Sequence, residues 1–426
     1  MLILFPLTAA AVLFLQYSEY NSTYNYKSMQ SQSQSQSVAH AHQNTKPILS
    51  ERHDPDTKQR LRLWRDGASD STVLPTGIFD YQGGICNAKL ECTVYFPHAD
   101  LSDLIQPDEL LIDTAFTNSR TFNTQGVNPV YDPPRLVANY SQYMDPRTPA
   151  LLTRRGYKGH DAPNQDRIVM LRQGDQRNIM ALFDGHGSSG HDVAHAAALA
   201  MLQRLSQVRQ ISESTLSLTF LKVDRTLPKK AARHSGCTAI VLVHDQNSHQ
   251  VLVANAGDSQ ALIAEYNVQT KETTIVYQTR PHKPHMPVER DRIQAAGGHV
   301  MLPERPGESS RVIIPMGQME MALAMSRSLG DEEGKRLGIL TATPTVDRVV
   351  LDANKLYFAV AASDGIFDCM NLEDVAKHVG KAMYSPSSKL RPMDACEQLI
   401  VRSSNIWKYR FNAMYRDDIS IMVSKL

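Results

Sequence analysis

Five aspartates in the C-terminal two-thirds of the chain each flank a short apolar run. Asp184 follows the run 179–183 and opens Asp184-Gly185-His186-Gly187. Asp258 follows the run 251–254, and Asp364 follows the run 358–362 within Ser363-Asp364-Gly365. Asp417 precedes the run 419–423, and Asp166 precedes the run 168–171. Short apolar, β-branched runs read as strands, so each aspartate reads as a strand-end residue at the rim of a sheet. A single Asp-Gly is an ordinary turn; the repetition is what points to chemistry. Carboxylates gathered at one rim repel one another unless cations offset them. Hard divalent ions such as Mg²⁺ or Mn²⁺ suit an all-oxygen donor set. Two such ions about 3.5–4 Å apart activate a water at neutral pH, which is the chemistry of phosphate ester hydrolysis. Convergence of the five is an expectation, because the sequence orders them only along the chain.

The positioning elements follow from periodicity. Strands are expected at 179–183, 238–243, 250–254, 356–362 and 419–423. An Ala-rich helix is expected over 192–210, capped by Ser188 or Ser189, with a second over 213–226. Further helices are expected at 289–296 and 372–383. Strands in two groups with helices between them suggest a layered α+β domain.

These aspartates belong to a longer ordered series. It runs Asn164-Gln165-Asp166, Phe183-Asp184-Gly185-His186-Gly187, Gly236-Cys237-Thr238-Ala239, Ala254-Asn255-Ala256-Gly257-Asp258-Ser259 and His282-Lys283-Pro284 with Glu289, Arg292-Ile293 and Gly297-Gly298. It ends with Met325 to Asp331, Ser363 to Asp368 and Arg416-Asp417-Asp418. In this order the series resembles the metal-dependent (type 2C) serine/threonine protein phosphatases over about residues 148–426. The resemblance implies an α+β fold: a β-sandwich of two antiparallel sheets flanked by helix pairs, with two Mg²⁺ or Mn²⁺ ions at one end. It implies that Asp184 bridges both ions and that the Gly185 carbonyl binds one. Asp364 and Asp417 would hold the other, and Asp166 would act through waters. Asp258 and Asp368 would help hold a third, weaker ion, and Thr238 would support the water network. His186 would be the general acid for the leaving alkoxide, a role that suits an imidazole near neutral pH. Arg155 and Lys158 are alternative candidates for the substrate-phosphate contact, since residues 160–163 lengthen that loop. The chain departs from the family pattern at Gln165, where many members carry Glu, at Gln260 in place of an Arg, and at Pro281 in place of an Asp.

Composition narrows the partners. The chain has 426 residues and a net charge of +1, which leaves no basic footprint for nucleic acid. Phosphorylated proteins are the expected substrates, and a monomer is expected. Five cysteines, an odd number, argue against a disulfide framework and for a reducing, cytoplasmic setting. Four segments are expected: an apolar stretch at 1–27, either a signal or anchor or a plain hydrophobic tail, a polar linker at 28–59 with SQSQSQS, an extension at 60–147 of unknown role, and the catalytic domain at 148–426. Residues 1–15 offer the one route to a membrane. Ser424-Lys425-Leu426 spells a peroxisomal address, but these residues continue an apolar run and read as strand. Cys396 to Arg402 has the Cys-x5-Arg spacing of cysteine phosphatases, yet the intervening residues are helical in pattern, so Cys396 reads as core. Two rival functions are a catalytically silent phosphatase-like scaffold and a two-metal nuclease. The intact Asp184, His186, Asp364 and Asp417 argue against the first, and the neutral charge argues against the second.

Overall fold

The structure is a computed structural model. It describes residues 92–95, 150–154, 156, 163–173, 177–303, 308–317, 319–385, 387–388, 390, 392–411 and 415–426. All of them lie in one compact unit, Glu51–Leu426. The N-terminal apolar stretch, the SQSQSQS tract, Cys86, Arg155 and Lys158 lie outside the described residues.

In chain order the strands begin with β1 (Cys92–Tyr95), β2 (Ala150–Arg154), β3 (Arg167–Gln173), β4 (Arg177–Phe183), β5 (Gly185–His186), β6 (Gly236–Cys237), β7 (Ala239–Asp245), β8 (Gln250–Ala256) and β9 (Gln260–Asn267). They continue with β10 (Glu272–Gln278), β11 (His299–Met301), β12 (Arg311–Met316), β13 (Met319–Leu323), β14 (Leu329–Gly330), β15 (Thr345–Val350), β16 (Leu356–Ala362) and β17 (Ile419–Lys425). The helices are α1 (Gly190–Ser206), α2 (Glu213–Thr226), α3 (Lys229–Ala232), α4 (Pro287–Ala295), α5 (Glu332–Arg336), α6 (Asp364–Phe367), α7 (Leu372–Tyr384) and α8 (Pro392–Arg410).

One sheet has the order β1-β3-β4-β7-β8-β15 and the other the order β10-β9-β16-β17-β2. Every pairing within these two sheets is antiparallel. Side-chain alternation makes each central strand two-faced. In β4, Met180 and Leu182 join Ile240, Leu242, Ala359, Ala361 and Met422 in the layer between the sheets. Ile179, Ala181 and Phe183 of the same strand point the other way, onto Val193, Ala197 and Met201 of α1 and Phe220 of α2. In β16, Phe358, Val360 and Ala362 pack on Val375 and Val379 of α7 and Leu399 of α8. The molecule is therefore layered helix, sheet, sheet, helix, which is the sandwich the resemblance implied. Because both faces of β4 and β16 are covered, these strands are near-continuous in hydrophobicity; a Leu182→Ala cavity would cost about 2–5 kcal/mol.

The helix starts are capped locally. Ser212 accepts from the Thr215 N–H and Asn371 from the Asp374 N–H, each worth about 1 kcal/mol. Ser189 does stand at the start of α1, but its side chain makes no cap bond there. α1 also ends at Ser206, short of residue 210. β1 belongs to the segment given no role by the sequence, and it extends the first sheet by pairing Cys92 with Gln173 and Tyr95 with Met170. At the other end, Ser424 and Lys425 are paired with Ala359 and Phe358, and the Leu426 N–H donates to the Tyr357 carbonyl.

Candidate active site

Antiparallel register carries the strand-end aspartates to one rim. Arg167 is paired with Phe183, so Asp166 and Asp184 leave neighbouring strands at the same end. In the second sheet Ala362 is paired with both Gln260 and Ile421, which brings Asp364, Asp258 and Asp417 to one edge. The two rims are tied together. The Gln165 N–H donates to Asp418 Oδ2 at 3.1 Å, and Asn164 Nδ2 donates to Thr153 Oγ1 at 2.8 Å. Thr153 is in turn 2.7 Å from Ser420 Oγ. Asn164 also orients Asp166, accepting its N–H at 2.9 Å.

The carboxylates feel one another strongly. Burial, followed by the charges of Asp417, Asp258 and Asp368, pushes the Asp364 carboxyl well above the ordinary carboxylate range, with Lys283 opposing. Asp368 is raised by burial, eased by Lys283, and raised again by Asp258 and Asp417. Four of the predicted site residues thus share one electrostatic neighbourhood. Their backbone supports are specific. Asp364 is the first residue of α6, whose Gly365 carbonyl accepts from Ser403 Oγ and from Trp407 Nε1, the latter at 2.9 Å. A Cβ on Gly365 would stand 2.1 Å from the Asp418 carbonyl oxygen, so only glycine lets β17 approach. Asp417 accepts from the Tyr415 hydroxyl at 2.9 Å and from the Asp418 N–H.

A three-stranded ribbon, β14-β6-β5, carries the next part of the site. It pairs His186 with Gly236 and Gly236 with Gly330. His186 Nε2 consequently lies 2.7 Å from Asp331 Oδ2. Asp331 is fully buried and also accepts from Ser328 Oγ at 2.6 Å. Burial would raise its carboxyl, but the charge and hydrogen bond of His186, with Ser328 and Lys335, outweigh that and hold it below its usual value. A side chain at position 236 would meet Asp331 Oδ2 at 2.2 Å, which explains the glycine there. Gln165 Nε2 donates to the Gly187 carbonyl at 2.7 Å and braces the turn after His186.

Asp184 is partly exposed, and its loop is fastened to Thr238. The Thr238 N–H donates to the Asp184 carbonyl at 2.8 Å, the Asp184 N–H donates to Thr238 Oγ1 at 3.1 Å, and Thr238 Oγ1 is 2.7 Å from Ser259 Oγ. Gly185 is buried.

Three participants carried no assigned role in the sequence reading: Asp331, Lys283 and Glu289. Lys283 Nζ donates to Asp258 Oδ2 at 2.6 Å. Burial would lower the ammonium, but Asp258, Asp364 and Asp368 together raise it above its usual value. Glu289 is buried and receives Arg327, Ser326 Oγ (2.7 Å) and Arg292 (3.0 Å). Burial would raise it, yet these donors hold it at about 2. The sequence showed each residue inside a recognisable stretch; it did not show which carboxylate met which base. Cys396, by contrast, is buried inside α8 and its thiol is pushed up by burial, so the Cys-x5-Arg spacing is a feature of a helix.

The donor set fits hard divalent cations. It is all oxygen, it is mutually repulsive, and the buried Oδ1 of Asp258 makes no hydrogen bond. Among the described residues no three His, Cys, Asp or Glu side chains are gathered tightly enough to hold an ion as they stand.

The family model described as Protein phosphatase 2C matches residues 157–405, more than half of the chain. Among curated relatives, Probable protein phosphatase 2C 61 of Arabidopsis thaliana is 29% identical over 275 residues, covering 62% of this chain and 80% of the relative. Probable protein phosphatase 2C 12 of Oryza sativa subsp. japonica is 32% identical over 328 residues, covering 64% and 79%. Among solved structures, serine-threonine phosphatase 2C from Toxoplasma gondii superposes with a TM-score of 0.50 at 20% identity, covering 65% of this chain and 93% of that one.

Proposed function

Since this chain belongs to the protein phosphatase 2C family and is a metal-dependent serine/threonine protein phosphatase, we propose that it hydrolyses phosphoserine and phosphothreonine in proteins at a two-ion Mg²⁺ or Mn²⁺ centre on the carboxylate rim. The observation that supports this best is the shared neighbourhood of Asp364, Asp417, Asp258 and Asp368, in which each negative charge raises the cost of the next. Asp184 and the Gly185 carbonyl would hold the ions from the first sheet and Asp364 and Asp417 from the second, with Asp166 supporting them. Asp258 and Asp368 would help hold a third ion more weakly. When bound, the ions supply an activated water and offset the charge of the phosphoryl group.

The chain's own residues do the rest. Thr238 and Ser259 fix the Asp184 loop, so its carboxylate does not have to be ordered during turnover. His186 donates a proton to the departing serine or threonine oxygen. Asp331 is a positioning residue: held at 2.7 Å from Nε2, it fixes the orientation of the ring. Arg155 and Lys158 remain the candidates for steadying the phosphate. The test is turnover of p-nitrophenyl phosphate and a phosphopeptide by the full chain in Mn²⁺, then in excess EDTA. Activity lost in EDTA and restored by Mn²⁺ is expected; full turnover in EDTA overturns the two-ion centre.

A further inference from the structure

Lys283 is placed with unusual care for a lysine. Its loop is zipped to the Asp258 loop: the His282 N–H donates to the Gly257 carbonyl at 2.9 Å, and the Gly257 N–H donates to His282 Nδ1 at 3.2 Å. Asn255 Nδ2 bridges the Gly257 and Arg280 carbonyls. Burial pushes the His282 imidazole down to about 4, which keeps it neutral and able to accept. The result is an ammonium on one oxygen of Asp258, while the other oxygen is buried without a hydrogen bond. The same positive charge acts on Asp364 and Asp368. Lys283 also lines a cavity of about 350 Å³, together with His285, Leu302 and Glu308 among others.

We propose that Lys283 is a tethered cation that offsets the Asp258 side of the carboxylate cluster and must withdraw before a third divalent ion binds there. The inference rests on the two-ion reading above and adds a competitor built into the chain. The ammonium and a divalent ion compete for the same Asp258 carboxylate, and like charges at such a distance repel by an amount that decides occupancy. The adjoining cavity gives the lysine head somewhere to go, with Glu308 as an alternative partner. The third ion is therefore held weakly by design of the cluster, and its occupancy responds to whatever draws Lys283 aside.

The test is calorimetric titration of Mn²⁺ into the full chain, comparing wild type with Lys283→Met and Lys283→Arg. Lys283→Met removes the charge at similar length. Its weakest Mn²⁺ event is expected to tighten on the order of tenfold, and the strong events less than that, because Asp258 touches the ammonium and Asp364 only feels its charge. Lys283→Arg keeps a cation and is expected to match wild type. An unchanged or weaker isotherm in Lys283→Met overturns the proposal. A second measurement needs no variant: reductive methylation of Lys283 in the wild type, read by mass spectrometry, should speed up at saturating Mn²⁺, and an unchanged rate counts against withdrawal. Failure of the underlying reading looks different. If the wild type shows no strong Mn²⁺ events that Asp364→Asn removes, the two-ion centre itself is wrong. If those events are present and only the Lys283 effects are missing, the centre stands and the tethered cation does not.

Discussion

His186 Nε2 and Asp331 Oδ2 meet at 2.7 Å across 145 residues of sequence. The contact depends on two-residue strands: Gly236 pairs with His186 on one side and with Gly330 on the other. Asp331 itself sits in the left-handed region, at φ 48 and ψ 48, where Asn and Asp are tolerated better than other side chains.

That geometry makes Asp331→Asn a clean probe, because asparagine keeps the shape and accepts the backbone while losing the charge. Phosphopeptide kcat is expected to fall on the order of tenfold or more. Turnover of p-nitrophenyl phosphate should fall much less, because p-nitrophenolate leaves with little protonation. His186→Ala should show the same split, and the double variant should be no worse than His186→Ala alone. Mn²⁺ affinity should stay near wild type in both single variants. Equal losses on the two substrates with weakened Mn²⁺ binding would make the pair a brace for the turn and nothing more.

Asp364→Asn addresses the ions directly. A neutral amide loses the charge that offsets a divalent cation. Activity should drop at ordinary Mn²⁺ and recover in part as Mn²⁺ is raised, and a calorimetric titration should show the lost affinity. Wild-type Mn²⁺ affinity in this variant would remove Asp364 from the donor set.

Glu289 predicts a pH dependence of stability. Its carboxyl is held at about 2 against an ordinary 4.5. A depressed carboxyl contributes stability that is complete above the unfolded value and fades as pH falls through the folded one. The contribution should therefore be whole above pH 5 and decline between about 4.5 and 2. Glu289→Gln strands Arg327 and Arg292 beside a neutral amide and should cost about 3 kcal/mol at pH 7. Denaturant unfolding at pH 7 and pH 3 checks this; a penalty equal at both pH values would mean that charge is not what the site uses.

The pairing of β1 with β3 bears on truncation. A fragment of residues 148–426 keeps every strand from β2 onward but loses the strand that covers the β3 edge. It should fold with a lower melting temperature than the full chain and associate more readily, because an uncovered edge templates pairing. Extending the fragment to begin near residue 88 should restore monodispersity in sedimentation. Identical melting and association for the two fragments would show that β1 adds nothing to the edge.

Much of this was legible in the residues alone. Runs such as 179–183 and 356–362 are apolar because both faces of their strands are covered, and that continuity is a local property of the chain. The strand-end position of Asp166, Asp184, Asp258, Asp364 and Asp417 followed from the same runs. The ordered series of short motifs carried the family. Which groups would face each other was not local. Asp331 reaches His186 only through the β14-β6-β5 register, and Lys283 reaches Asp258 only because two loops hydrogen-bond backbone to backbone. The apolar stretch 93–96 stands out locally, but four residues of edge strand carry too little periodicity to say which strand they pair with. Sequence pattern reports how each segment buries itself; pairing across 25 or 145 residues is decided by register and loop closure, which exist only once the sheets have formed.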